Sequence, residues 1–277
     1  LIIGLSHIMI PFSLISNIVI YGTLQIKTDI GSGTGFLVAA DTGDSVKFPL
    51  LITNKHVVDG ADCGSILVHR RDPGQESASQ ESYVVSIPDF KNSWIRHDDP
   101  EIDLCAFPFW TLVEKMTQDG LHPFCSVTMS SQILVESQME HLSVLEKIVM
   151  IGYPIGLTDI KNNFPIVRQG ITASHPLIDF NGKPQFVVDI ACFPGSSGSP
   201  VFLWDIGNLT REQRVYLIGV LYAGPVMQVD GTIEDQEVPT NLGRTTKSNI
   251  MIHLGYVIKG RELLKLIQQV RTKFDIK

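Results

Sequence analysis

Apolar and β-branched residues come in short runs along this chain, at 18–26, 35–39, 50–53, 65–69, 83–87, 103–107, 148–151, 185–190, 215–221 and 251–258. Turn chemistry separates them, as in "ADTGD", "RDPGQ" and "DFNGKP", where Asn181-Gly182 has the composition of a two-residue hairpin turn. Runs of this length without long helices between them predict an all-β protein built of barrels or sandwiches, not a doubly wound sheet. Helical spacing occurs in three places: a short turn after Asn54, the segment 111–118, and the tail "GRELLKLIQQVRTKF". In that tail Leu263, Leu264, Ile267, Val270 and Phe274 share one face, so it is expected to pack back on the body.

Composition narrows the function classes. A net charge of −7 without any cluster of lysine and arginine leaves no source for a phosphate-tracking surface, so nucleic acid is not an expected partner. The apolar stretch 1–22 has no basic start and is interrupted by Ser6, His7, Pro11, Ser13, Ser16 and Asn17. It therefore reads as a strand or extension of the domain and not as a signal peptide or membrane span. The four cysteines, Cys63, Cys105, Cys125 and Cys192, form no CxxC pair, which points away from zinc and from a disulfide framework, and toward a reducing, cytoplasmic setting. "GNLTREQ" contains a glycosylation pattern at Asn208, but Thr210 and Gln213 have the spacing of a capping box, the reading taken here.

Candidate chemistry lies at three points. In "LLITNKHVVDGAD", His56 directly follows an apolar run. A histidine so placed is more often structural than catalytic, and needs companions to mean more. In "DPEIDLCAFPF", Asp103 stands among Ile102, Leu104, Ala106 and Phe107. A carboxylate entering a strand this apolar requires a hydrogen-bonded counterpart, since an unpaired buried charge costs several kcal/mol. In "PGSSGSPVF", Ser197 has Gly195 two residues before it and Gly198 directly after. Glycines let a tight turn expose a serine hydroxyl while backbone N–H groups converge on a developing oxyanion. Ser196 and Ser199 read as turn residues with hydrogen bonds of their own.

The order His56, Asp103, Ser197, within "TNKHVV", "EIDLCAF" and "PGSSGSPVF", resembles the chymotrypsin-like (trypsin-like) serine peptidases, and among them the HtrA-like branch. "GSGTGFLV", "IGYPIGL" followed by "VRQGITAS", and "HLGYVIKGRELLKLI" extend the likeness over roughly 31–270. The resemblance implies a double β-barrel with a C-terminal helix: an N-terminal strand or extension at 1–30, a first barrel at 31–125 with the histidine and aspartate, a second at 126–258 with the serine, and the helix at 259–277. It implies a His-Asp-Ser triad, an oxyanion hole from the N–H groups of Gly195 and Ser197, and no metal or organic cofactor.

In digestive trypsins an acid before the serine pairs with a newly cut N-terminus. Ser196 stands there in this chain, so that ion pair is not available and an activating peptide or partner protein is a further expectation. The resemblance puts Ala191 at the base of the specificity pocket and Cys192 on its wall, which predicts cleavage after small or medium apolar residues. Asp189 lies about 7 Å along the strand from that base and is a poor substitute for a charged one. "GVLYAG" would offer the edge at Tyr222, Ala223 and Gly224 to a polypeptide substrate. The acidic stretch 225–247 reads as a long loop, and no PDZ domain is expected within the 277 residues, which read as a single-domain relative or as an excised fragment. A second reading remains open, that of a latent or inactive relative that binds a peptide or partner without cutting it. The order Ser, Asp, His of an α/β-hydrolase is excluded.

Overall fold

The computed structural model describes residues 19–40, 48–140, 142–205, 214–233 and 244–276, of which 205, 214, 228–233 and 244–251 enter as backbone alone. The stretch 1–18 and the Asn208 motif lie outside the described residues. The architecture is mostly β, as the short apolar runs predict.

The first half holds β1 (Thr23–Thr28), β2 (Ser32–Ala39), β3 (Pro49–Thr53), α1 (Lys55–Val58), β4 (Gly64–Arg71), β5 (Ala78–Ser86), β6 (Ile95–Arg96), β7 (Cys105–Phe107), α2 (Phe109–Gln118), β8 (Pro123–Phe124) and β9 (Thr128–Met129). Its strands form one sheet in the order β5-β4-β1-β2-β3-β7-β6, with β8 on β4 and β9 on β2. The second half opens with a short helix α3 (Glu136–Met139), followed by β10 (Lys147–Gly152), β11 (Ile166–Thr172), β12 (Gln185–Asp189), β13 (Pro200–Asp205), β14 (Arg214–Ala223), β15 (Val226–Ile233), β16 (Arg244–Met251), β17 (Leu254–Lys259) and α4 (Gly260–Lys273). Six of these strands close a barrel in the order β10-β11-β12-β17-β14-β13.

Three sequence expectations change in detail. Asp103 is not inside a strand: β7 begins two residues later, at Cys105, because Leu104 N turns back onto Ile102 O and Asp103 O is taken by Asn54 Nδ2. The Asn181-Gly182 pair does take positive φ, 55° and 70°, but it belongs to a longer β11–β12 connection rather than a two-residue hairpin. The acidic stretch after Pro225 is largely a two-stranded ribbon, β15 paired with β16 from Val226↔Met251 to Ile233↔Arg244, with 234–243 outside the described residues.

One apolar cluster joins the halves. Phe36, Ile52 and Leu104 from the sheet meet Val149, Ile151, Phe202 and Val220 from the barrel, and α4 closes the cluster with Leu263, Leu266, Ile267 and Val270. Each fully buried side chain of this size contributes about 1.5–3 kcal/mol, so the junction is held mainly by apolar burial. Polar clamps fix α4 in register. Lys259, 1% exposed, donates to Asp179 Oδ1 at 2.5 Å and to Leu177 O at 2.7 Å. Arg261 reaches Asp179 Oδ2 at 2.6 Å on the barrel side, while Gln269 donates to Arg96 O at 2.8 Å on the sheet side.

Candidate active site

His56 sits in the single turn α1 that follows β3. The turn is fastened to the 99–103 segment at three points: Asn54 Nδ2 donates to Asp103 O at 2.7 Å, Lys55 Nζ to Asp99 O at 3.0 Å, and His56 N to Asp103 Oδ1 at 3.1 Å. The second carboxylate oxygen, Oδ2, meets His56 Nδ1 at 2.5 Å. A carboxylate against Nδ1 holds the imidazole proton there and leaves Nε2 as the free base. The imidazole is about half exposed, and the Asp103 carboxylate is 22% exposed.

Two successive tight turns shape the serine segment. Ser196 N donates to Phe193 O at 3.0 Å and Ser199 N to Ser196 O at 3.0 Å. Gly195 and Gly198 take the third positions at φ 85° and 84°, as type II turns require. A Cβ on Gly195 would lie 2.7 Å from Tyr153 O, and one on Gly198 only 1.9 Å from Thr34 O, so both positions exclude a side chain by contact as well as by backbone angle.

Three carbonyls of the segment are taken up by the protein. Pro194 O accepts from Ile155 N at 2.6 Å, Gly195 O from Thr34 Oγ1 at 2.9 Å, and Ser197 O from Thr34 N at 2.9 Å. The N–H groups of Gly195 and Ser197 have no protein acceptor among the described residues. Because a peptide N–H points opposite its carbonyl, the Pro194–Ile155 bond aims Gly195 N–H away from the 153–156 turn.

Thr34 joins this segment to the histidine. Its carbonyl accepts from Thr53 Oγ1 at 2.7 Å, its Oγ1 accepts from Tyr153 N at 3.0 Å, and His56 is three residues beyond Thr53. The serine and the imidazole are thus brought to one junction, but no hydrogen bond of 3.5 Å or less joins Ser197 Oγ to His56 among the described residues. Such bonds are often long in the absence of substrate.

Ala191 is half-buried, and its carbonyl accepts from Arg168 NH1 at 2.5 Å. Cys192 is 2% exposed and packs in the barrel core with Phe186, Val188 and Leu221, where burial pushes its thiol up to about 11 and keeps it neutral. All four cysteines are free thiols. Tyr222 marks an irregularity in the β14–β17 pairing between Leu221 and Ala223, donates its hydroxyl to Gln185, and is pushed up by burial, then by Tyr256 and the Asp103 charge. Ala223 is exposed at the end of β14, and Gly224 follows it half-buried. Ser196 Oγ is engaged, as expected of a turn residue, whereas Ser199 Oγ is buried without a hydrogen-bond partner.

Sequence reasoning passed over two residues here, Thr34 and Arg168. Thr34 lies inside "GSGTGFLV", where the flanking glycines Gly33 and Gly35 hint at a close approach of backbones. Nothing local distinguishes Arg168 from an ordinary strand arginine. No cluster of potential metal ligands occurs among the described residues.

A His–Asp pair and a glycine-bracketed serine at the seam of two β bodies place the molecule among serine-type endopeptidases. The chain belongs to the trypsin-like peptidase family, whose domain matches residues 33–210. No curated protein matches it. Solved structures to which it is similar include the inactive form of the Rv3671c Ser343Ala mutant from M. tuberculosis H37Rv, at 14% identity over 91% of this chain and 87% of that one, with a TM-score of 0.44. A serine endoprotease from Yersinia pestis is 13% identical over 92% and 64%, with a TM-score of 0.46. The HtrA-type protease AlgW with a tripeptide is 18% identical over 92% and 62%, with a TM-score of 0.44.

Proposed function

We propose that this peptidase cuts polypeptides through an acyl-enzyme formed on Ser197, with His56 as general base and acid and Asp103 as the group that orients it. Ser197 Oγ attacks the scissile carbonyl carbon as His56 Nε2 takes its proton. The carbonyl oxygen, now an oxyanion, accepts from the N–H groups of Gly195 and Ser197. Collapse breaks the C–N bond, and the leaving amine takes the proton from His56. Water then repeats the sequence, releasing the acid and restoring the serine.

The observation that carries this reading is the two-point grip of Asp103 on His56, at backbone N and at Nδ1. A carboxylate recruited only for charge balance needs neither the second contact nor the half-exposed imidazole. Substrate would pair its backbone along 222–224, and the uncharged Ala191 favours small or medium apolar side chains before the cut.

Reaction with a fluorophosphonate probe, followed by intact-mass analysis, tests the reading. Labelling of the wild type that vanishes in Ser197→Ala and His56→Ala is the expected result. A folded wild type that stays unlabelled, with or without added peptides, would replace it with a peptide-binding relative. Labelling only when a peptide is added would mark a latent enzyme with a peptide activator.

A further inference from the structure

The segment that carries the nucleophile is gripped from behind by a cation. Arg168 lies on β11, where its backbone pairs with Met150 of β10, so its origin is fixed in the barrel wall. One guanidinium nitrogen, NH1, donates to Ala191 O at 2.5 Å and to Ser196 Oγ at 3.0 Å. These two acceptors are five residues apart, one before the turn that holds Gly195 and one at its closing residue. Ser196 Oγ also accepts from Phe193 N at 3.4 Å, so the hydroxyl ties the cation to the backbone of the same turn. Among the described residues no other ionised side chain is hydrogen-bonded to 191–199.

The cost of the arrangement argues for its use. Nε and NH2 of Arg168 are buried with no hydrogen-bond partner, and a buried donor left unpaired is unfavourable. Replacing a buried charge by an apolar side chain of similar volume is often neutral or stabilising, so stability alone does not call for an arginine. What the arginine supplies is a charge-assisted hold on a neutral carbonyl and a neutral hydroxyl, about twice as strong as a neutral bond to each. The other holds on this segment come from Ile155 N, Thr34 N and Thr34 Oγ1, and from Leu221, which exchanges backbone hydrogen bonds with Gly198 and Ser199.

We propose that Arg168 is a positioning residue for catalysis: an internal cation that fixes the 191–197 segment so that the N–H groups of Gly195 and Ser197 stay aimed at the oxyanion. It acts through Ala191 and Ser196 and touches no reacting atom. The inference rests on the reading of Ser197 as nucleophile. With a neutral Ser196, an internal donor serves the purpose that a cut N-terminus serves where an acid occupies that position.

The test compares wild type with Arg168→Met, Arg168→Lys and Ser196→Ala, by peptide-ester turnover and by hydrogen exchange of the peptides covering 191–199. In Arg168→Met, kcat is expected to fall on the order of 10²-fold, as on loss of one oxyanion donor, with KM little changed. Arg168→Lys should recover part of the rate, Ser196→Ala should fall between, and exchange at 191–199 should quicken in Arg168→Met but not across the barrel. An active wild type matched by Arg168→Met in kcat and in exchange would overturn the proposal while leaving the nucleophile reading intact. General acceleration of exchange over the whole barrel in both Arg168 variants would also overturn it, reducing Arg168 to a structural residue. If the wild type is inactive even with added peptides, the nucleophile reading fails separately, and so does the catalytic role of Arg168. Exchange confined to 191–199 would then report only a structural hold.

Discussion

The two halves build their parts of the site by different means. In the sheet half, His56 and Asp103 are held by contacts between two short segments: Asn54, Lys55 and His56 all bond to 99–103, and the carboxylate faces the imidazole directly. In the barrel half, the two turns of the serine segment close their own hydrogen bonds at positive φ, and take further fixed points from elsewhere: Thr34 on β2, Ile155 after β10, Arg168 on β11 and Leu221 on β14. The His56–Asp103 pair is close to self-sufficient, whereas the serine segment depends on the closure of the barrel and on the seam between the halves. Disturbing the seam should therefore cost the serine segment its shape before it separates histidine from aspartate.

The sharpest way to break the comparison is inside the sheet half. Asp103→Asn keeps the size of the side chain but puts a donor where the imidazole needs an acceptor, and we expect kcat to fall on the order of 10⁴-fold. Steady-state kinetics with a peptide ester, with the melting temperature beside them, check this, and a large fall in stability instead would mean that the pair is structural.

Smaller but still large is the effect of loosening α4. Lys259→Ala removes a 1%-exposed ammonium from Asp179 and Leu177 O, and should destabilise the fold by about 3 kcal/mol, read by urea unfolding. Because Arg261 still reaches Asp179 Oδ2 at 2.6 Å, the loss should stay below that of an isolated buried pair.

Acid should weaken the sheet half by a comparable amount through His69. This residue is 3% exposed against Tyr21 and Phe164, and burial pulls its imidazole down to about 4 from 6.5, offset in part by a backbone hydrogen bond at Asn163. The unfolded chain binds the proton more readily between those values. Native stability is therefore full above pH 6.5 and falls as pH drops toward 4, by about 3 kcal/mol in all. Unfolding at a series of pH values should show this slope, and His69→Phe should flatten it. The Asp179 carboxyl, held low by Lys259 and Arg261 against its own desolvation, adds a further loss at lower pH as it protonates.

The mildest test is aimed at the seam. Thr34→Val keeps the shape but deletes the hydroxyl that donates to Gly195 O and accepts from Tyr153 N. We expect kcat to drop about 10- to 100-fold with KM held, since losing one fixed point loosens the segment without removing an oxyanion donor. An unchanged kcat would show that Ile155, Leu221, Arg168 and the Thr34 backbone suffice.

Much of this was legible in the chain. Short apolar runs predict a β-rich fold because strands need few residues to cross a domain and alternate their faces locally. The order His56, Asp103, Ser197 and the glycines around the serine are visible because tight turns and exposed hydroxyls have local requirements. The tail helix is legible from its period, although its buried face is Leu263, Leu266, Ile267 and Val270, with Phe274 left 44% exposed. The strand assigned to Asp103 was not, because a tight turn from Ile102 to Leu104 and the hold of Asn54 on Asp103 O override the local pattern.

What the sequence could determine by itself were features whose causes lie within a few residues: the runs, the turns, the helix and the order of the reactive side chains. Tertiary structure alone decided that Thr34 would brace Gly195 across 161 residues and that Arg168 would reach Ser196 across 28. Those bonds exist only when six strands close in one register and an apolar seam fixes the sheet against the barrel. Hydrogen-bond geometry is a matter of tenths of an ångström, and no local pattern carries information about a partner that the chain reaches only after it has folded.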